Sequence, residues 1–119
     1  MKAALIISHG SHSPKTKIEV QALVASLRKV SPIPIWEYAF LEIESPNIPD
    51  GIKLCVEQGA HEITILLNFL NSGKHVDMDI PAIVGMEGKK YPQVKLKISP
   101  PVGQHPHITQ LFMDILNAS

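Results

Sequence analysis

Two histidines and two hydroxyl side chains directly follow an apolar run near the start of the chain. The stretch "LIISHGSHSP" places His9, Gly10, Ser11 and His12 after the run that ends at Ile7. One explanation is a turn that happens to be polar, and the other is a metal site or active site at the end of a buried strand. Imidazole nitrogens bind first-row divalent ions and accept protons near neutral pH. The choice depends on which other side chains reach the same place.

Two further candidates follow other apolar runs. Glu42 lies in "LEIE", and His75 lies in "FLNSGKHVD". Taken alone, each is most often a solvated side chain. In a parallel sheet with strand order 2-1-3-4, however, the loops after strands one and three meet where the strand order reverses, and ligands bind at that point. Glu42 would approach it from strand two. Two imidazoles and a carboxylate could then bind cobalt, nickel or iron.

The elements that would hold these side chains alternate between strand and helix. The expected strands are "AALIIS", "PIWEYAFL", "EITILLNFL" and "VKLKI", and stretches of helical period separate them. This alternation is typical of a parallel sheet covered by helices. The predicted fold is therefore α/β, a four-stranded parallel sheet flanked by helices, of the flavodoxin-like or Rossmann-like kind.

The helices are predicted from apolar spacing and from proline and glycine. One follows the first loop, one runs from Pro49 to Gly59, and a shorter one spans about Asp77 to Met86, with Pro81 in its first turn. The last helix has the clearest apolar stripe, formed by Ile108, Leu111, Phe112, Ile115 and Leu116. We expect these helices to cover the sheet.

Composition excludes several classes of partner. The 119 residues are 45% hydrophobic, which predicts a single globular domain over residues 1–119. Eleven basic and eleven acidic side chains cancel, so no nucleic-acid or membrane partner is expected. The apolar run Ala3–Ile7 is too short for a signal peptide or a membrane span, which predicts a cytoplasmic protein. Cys55, the single cysteine, fits a reducing compartment and a place in the core.

Four longer pieces of the sequence resemble one family. The pieces "SHGS", "AFLEIESPNIP", "GAHEITILLNFLNSGKHVDMDIP" and "PPVGQHPHI" stand in the order, and near the spacing, of the short CbiX-type sirohydrochlorin chelatases. These are class II tetrapyrrole chelatases that insert cobalt or nickel. The resemblance spans nearly the whole chain, and its most specific part is the "FL..G.H...DIP" pattern that begins at Phe69 and ends at Pro81.

The resemblance implies roles for individual residues. His9 and His75 would bind the metal, and His9 would also accept a proton. Glu42 would act as a proton-handling group or support the ligands. The substrate contacts map to Ser45, Leu70, Asn71, Ser72, Gly73, Lys74 and His75. We assign no metal to His12, His61, His105 or His107, and we expect Glu44 to face solvent.

The implied function is insertion of cobalt or nickel into sirohydrochlorin, in cobalamin or related tetrapyrrole biosynthesis. No permanently bound cofactor is expected, because the metal is a substrate. Iron insertion for siroheme and a carrier without catalysis are the alternatives. A histidine phosphatase is disfavoured because Ser8, not arginine, precedes His9. Since longer members of the family contain two such halves, a homodimer is expected.

Two positions depart from the family pattern. His12 stands where the family usually has an arginine, and Leu67 and Asn68 stand where a proline is usual. Neither change removes a predicted metal ligand. Loss of the arginine removes a fixed positive charge near an acidic macrocycle, so it bears on the choice of substrate more than on the type of reaction.

Overall fold

Four strands form one parallel sheet in the computed structural model, which describes all residues, Met1–Ser119. The strands are β1 (Lys2–Ser8), β2 (Ile35–Phe40), β3 (Glu62–Leu67) and β4 (Lys95–Pro101). Their order across the sheet is β2-β1-β3-β4, and every neighbouring pair is parallel. The predicted fold class is therefore confirmed, together with the strand order on which the predicted crevice depends.

Four helices connect and follow the strands. They are α1 (Pro14–Val30), α2 (Ile48–Glu57), α3 (Ile80–Lys90) and α4 (Ile108–Asn117). A 3₁₀ turn at Val102–Gln104 precedes α4. No helix is both long enough and apolar enough to cross a membrane.

The predicted bounds of the third helix are wrong at both ends. A π-helical turn, His75–Asp79, leads directly into α3, so helical backbone extends over residues 75–90. In the wide turn the Ile80 N–H donates to the carbonyl of His75, five residues back. Pro81 is the second residue of α3 and directly follows the π-helical turn.

The sheet separates two apolar cores because successive side chains of β1 point to opposite faces. Ala3, Leu5 and Ile7 belong to a core of 16 buried residues that also contains buried side chains of α2 and α3. Ala4 and Ile6 belong to a core of four, with Val24 of α1 and Trp36 of β2. The prediction that "AALIIS" is buried on both faces is correct.

The two faces are unequally covered. Helices α2 and α3 pack on the larger core, whereas α1 contacts β2 on the other face. Helix α4 does not cover its own sheet, and every residue of the helix from Thr109 onward is exposed. The expectation that the last helix covers the sheet is therefore wrong for a single copy of the chain.

The single cysteine lies in the larger core, as expected. Cys55 of α2 is fully buried, and burial, with a smaller contribution from the Glu37 carboxylate, raises the pKa of its thiol to about 12. Since the thiolate is the reactive species, we expect Cys55 to resist a thiol reagent at pH 8 in the native protein and to react fully in denaturant. A colorimetric thiol assay measures both states. Rapid labelling of the native protein would contradict the burial.

Candidate metal centre

Three side chains that are distant in sequence meet at the carboxyl edge of the sheet. His9 follows β1, Glu42 follows β2 and His75 follows β3. Each offers one ligand atom, and these atoms lie within 4.8 Å of one another. The two imidazole rings have centroids 5.1 Å apart. The structure therefore brings together the crevice residues that the strand order predicts, while their chemical roles remain predictions.

The pairing of β1 with β2 continues beyond the strands and fixes His9 beside Glu42. The Leu41 N–H donates to the carbonyl of Ser8 at 2.8 Å, and the Glu42 N–H donates to the carbonyl of His9 at 3.0 Å. Across this extended ladder, His9 Nε2 lies 2.8 Å from Glu42 Oε1. Backbone hydrogen bonds thus place the imidazole against the carboxylate.

The loop after β1 passes so close to the loop after β2 that it needs a glycine. Gly10 has φ +103°, and a Cβ on it would lie 1.9 Å from the carbonyl oxygen of Glu42. Ile43 also has a positive φ, +74°, which is rare for a β-branched residue. Backbone strain of this kind clusters at functional sites, and here it flanks the candidate ligands.

Glu44 and Asn68 tie the three loops together. The Ser11 N–H donates to Glu44 Oε1 at 2.9 Å, so the expectation that Glu44 faces solvent is wrong. Asn68 Nδ2 donates to Ser8 Oγ at 3.0 Å, and the Asn68 N–H donates to the carbonyl of Ile7 at 2.9 Å. The second bond needs an N–H that a proline would lack. Asn68 therefore links β1 to the loop after β3 through two hydrogen bonds.

A carboxylate that the sequence analysis did not select orients His75. Asp79 lies one turn along the helical segment, and its Oδ2 is 2.8 Å from His75 Nδ1. The bond leaves the other nitrogen, Nε2, available to bind a metal, which is the arrangement found for metal-binding histidines. The spacing of four residues between His75 and Asp79 is the signal that could have revealed the pair.

The groups at this edge suit a loosely held divalent ion. Leu41, Glu42, His75, Asp79, Ala82 and Ile83 line a shallow depression of about 390 Å³. Glu42 and His75 are exposed, and His9 is half-buried. Two imidazoles and one carboxylate leave several positions of an octahedral ion open to water or to another ligand.

The predicted substrate-contact residues lie at the same edge. Residues 70–75 lie between β3 and the end of the first turn of the helical segment, and all six are exposed, Leu70 by 60%. Nothing lies within 4 Å of the position that a Cβ on Gly73 would take, so a ligand can approach its backbone. Ser45 is also exposed. Their contacts with a substrate remain predictions.

The four histidines to which no metal was assigned lie outside the cluster of His9, Glu42 and His75. His12 is exposed on the loop after β1. His61 Nδ1 contacts the amino terminus of Met1 at the opposite edge of the sheet. The rings of His105 and His107 pack against each other before α4, with centroids 4.7 Å apart.

Fold and site together define a class: doubly wound α/β proteins with a metal-competent histidine and carboxylate cluster at the point where the strand order reverses. The sequence profile of the CbiX family matches residues 3–119. This chain therefore belongs to the CbiX family, as its sequence resemblance implies.

Similar proteins are named for metal insertion. The sirohydrochlorin ferrochelatase of Priestia megaterium is 32% identical over 98% of this chain and 44% of its own length. The sirohydrochlorin cobaltochelatase of Methanocaldococcus jannaschii is 34% identical over 72% of this chain and 60% of its own length. The chain spans less than half the length of the ferrochelatase.

Two solved structures share the fold closely. The sirohydrochlorin chelatase SirB from Bacillus subtilis subspecies spizizenii, in complex with cobalt, has a TM-score of 0.90 and 26% identity, covering 98% of this chain and 50% of that one. SirB from Bacillus subtilis with Fe³⁺ has a TM-score of 0.87 and 28% identity, covering 95% of this chain and 45% of that one. This chain thus corresponds in length to about half of each.

Proposed function

We propose that this protein inserts a divalent metal ion into sirohydrochlorin. The observation that carries the proposal is the meeting of His9, Glu42 and His75, whose ligand atoms lie within 4.8 Å of one another at the edge where ligands bind in this fold. Membership of the CbiX family and the names of its relatives supply the substrate class.

The ligand set suits an enzyme that must release its metal. A site closed by four protein ligands is structural, whereas an open site keeps positions for exchangeable ligands. His9 and His75, assisted by Glu42, leave an ion enough open positions for the ring nitrogens to replace water. The ion can therefore pass from the imidazoles to the macrocycle in stages.

The site also contains bases for the protons that the macrocycle loses. Metal insertion replaces two N–H protons of the ring with one divalent ion. His9 Nδ1 lies 3.0 Å from the carbonyl of Gly10, so its N–H can donate there while Nε2 faces Glu42. Once Nε2 has released the metal, it can accept one proton, and the Glu42 carboxylate can accept or pass on the other. His9 is thus proposed as both ligand and base, with Glu42 beside it.

The exposed loop of residues 70–75 and Ser45 are proposed to hold the tetrapyrrole. The backbone at Gly73 is open to approach, and Ser72 and Lys74 offer a hydroxyl and a positive charge to the acidic side chains of the macrocycle. Because the whole chain has a net charge of zero, such local contacts must provide the attraction.

The metal is proposed to be cobalt or nickel, with iron as an equal alternative. Relatives named as cobaltochelatases and as ferrochelatases resemble this chain to a similar degree, 34% and 32%. Two imidazoles and a carboxylate bind each of these ions. The metal that the protein prefers would determine whether it serves cobalamin or siroheme biosynthesis. The proposed location is the cytoplasm.

Incubation of the purified protein with sirohydrochlorin and each divalent metal in turn tests the function, with absorbance reporting insertion. We expect insertion faster than the spontaneous rate for at least one of cobalt, nickel and iron. Binding of both metal and sirohydrochlorin without faster insertion would instead identify a carrier.

Replacing Asp79 with alanine is expected to weaken Co²⁺ binding by about 10- to 100-fold, because His75 Nδ1 loses the carboxylate that orients its ring. Calorimetric titration measures the change. Asp77→Ala is the matched control, since Asp77 is an exposed carboxylate on the same turn. Equal affinity for the Asp79 variant and the wild type would show that the pair does not support metal binding.

The protein is further proposed to act as a homodimer. It corresponds in length to about half of SirB, so one copy offers half of the surface present in that chain. A symmetric pair would restore the second half through a self-complementary interface. Light scattering at micromolar concentration should give twice the monomer mass, and a strictly monomeric mass would refute the dimer.

A further inference from the structure

The segment "QHPH", residues 104–107, follows β4 and lies against the loop of residues 70–75. Gln104 Nε2 donates to the carbonyl of Leu70 at 2.9 Å. A Cβ on Gly103 would lie 2.1 Å from the Leu70 oxygen, so the two backbones are in close contact. Because β4 is parallel to β3, the segment lies at the same edge of the sheet as the metal centre. It is therefore fixed beside the loop that is proposed to hold the tetrapyrrole.

The two histidines of this segment are held together as one unit. Pro106 lies between them, and the rings of His105 and His107 pack edge to face with centroids 4.7 Å apart. The Ile108 N–H donates to the carbonyl of His105 at 3.0 Å and closes the turn into α4. Both histidines are exposed. A ligand thus meets two imidazoles whose positions are already fixed, which lowers the entropy cost of binding.

One hydrogen bond determines which kind of ligand suits the His105 ring. The His107 N–H donates to His105 Nδ1 at 3.1 Å. Nδ1 is therefore the unprotonated nitrogen, and the neutral ring carries its proton on Nε2. A metal ion would need Nε2 without that proton, so its binding would break the bond. An anion needs only a donor, which Nε2 supplies, and the ring therefore suits a carboxylate better than a metal ion.

The distribution of charge along the edge of the sheet also favours an acidic ligand near β4. Residues 63–76 and 88–113 contain no aspartate or glutamate, so the loop after β3, strand β4 and "QHPH" carry no carboxylate. Lys74 adds a positive charge to the loop after β3. The loop after β2, in contrast, contains Glu42 and Glu44. The acidic arms of a macrocycle are therefore repelled from the β2 side of the edge and attracted to the β4 side.

We propose that His105 and His107 bind carboxylate arms of the tetrapyrrole while its ring lies at the metal centre. Each contact is an imidazole N–H that donates to a carboxylate oxygen, and no covalent bond changes. The strand order places β4 two strand spacings from β1, about 10 Å, a distance that a tetrapyrrole with extended arms covers. This inference rests on the proposed function and deepens it, because it assigns residues to the acid groups that lie away from the metal.

Two substitutions of His105 separate carboxylate binding from a structural role. His105→Asn keeps an oxygen near the position of Nδ1, where it can accept the His107 N–H, but it has no donor at the position of Nε2. The Kd for metal-free sirohydrochlorin should rise about tenfold, because a hydrogen bond to a charged group contributes a factor of about ten or more. His105→Gln places an amide N–H near the position of Nε2 and should restore most of the affinity.

His107→Phe provides an independent variant, since it keeps an aromatic ring against His105 but removes both ring nitrogens. It should also weaken binding, and the double variant with His105→Asn should bind less tightly than either single variant. Fluorescence titration of the metal-free tetrapyrrole measures these affinities. Neither histidine belongs to the metal cluster, so Co²⁺ affinity should be unchanged in every variant, which also shows that each one is folded. In insertion assays, KM for sirohydrochlorin should rise while kcat changes little.

The methyl ester of sirohydrochlorin identifies the groups that are bound. Wild type and double variant should bind this neutral ester equally, and a loss of affinity for the ester in the variant would contradict carboxylate binding. A wild type that binds no sirohydrochlorin would overturn the proposed function itself. Wild-type affinity in the double variant would overturn only the inference about these histidines. Equal losses in His105→Asn and His105→Gln would do the same, because they would indicate a structural role for the ring.

Discussion

Replacing His9 with alanine is expected to slow metal insertion into sirohydrochlorin by about a hundredfold or more. General bases typically contribute factors of about 10² to 10⁴ to a rate. The His9→Ala variant would lose both proposed roles of His9, as metal ligand and as proton acceptor. His75→Ala should weaken metal binding and slow insertion less, because Glu42 and His9 remain 2.8 Å apart to accept protons.

His12→Ala is the matched control for this pair. His12 lies three residues from His9 on the same loop but is exposed and outside the metal cluster, so its loss should change the rate little. Initial rates measured by absorbance, with the spontaneous rate subtracted, separate the three variants. Full activity in His9→Ala with loss of activity in His12→Ala would show that the wrong histidine of "SHGSH" has been assigned.

Gly10→Ala is expected to damage both stability and metal binding. Alanine would have to adopt φ +103° and place its Cβ 1.9 Å from the Glu42 carbonyl, so the two loops must separate. Strained backbone of this kind costs about 1–3 kcal/mol before the collision is counted. We expect the free energy of unfolding to fall by at least about 2 kcal/mol, and Co²⁺ affinity to fall with it because His9 moves away from Glu42.

Gly85→Ala is the control glycine. It lies inside α3, and nothing is within 4 Å of the position that its Cβ would take. Alanine should therefore stabilise the helix by about 0.5–1 kcal/mol and leave metal binding unchanged. Urea unfolding and cobalt titration measure both effects. A Gly10→Ala variant with the stability and the affinity of the wild type would contradict the described contact between the loops.

The sequence was sufficient to predict the sheet and the meeting of the candidate ligands. Unbroken apolar runs such as "AALIIS" indicate strands buried on both faces, and parallel strands align their carboxyl ends. Once the order 2-1-3-4 is assumed, His9 and His75 must follow adjacent strands, although 65 residues lie between these two histidines in the sequence. The assumed strand order therefore accounts for most of the prediction that His9 and His75 meet.

The features that the sequence did not predict depend mostly on contacts between loops. Glu44 and Asp79 find their partners only when the backbone has placed Ser11 and His75 beside them. The π-helical turn before α3 changes the helix bounds without a pattern of its own. The apolar stripe on α4 is predicted from periodicity, but periodicity does not specify whether the chain's own sheet covers it, and residues from Thr109 onward are exposed.

X-ray absorption of the protein loaded with one equivalent of Co²⁺ tests the central claim most directly, since it counts the imidazoles bound to the ion. If His9 and His75 share one ion, the wild type and His12→Ala should each show two bound imidazoles, and His9→Ala and His75→Ala should each show one. An unchanged count in both single variants would contradict a metal centre formed by His9 and His75.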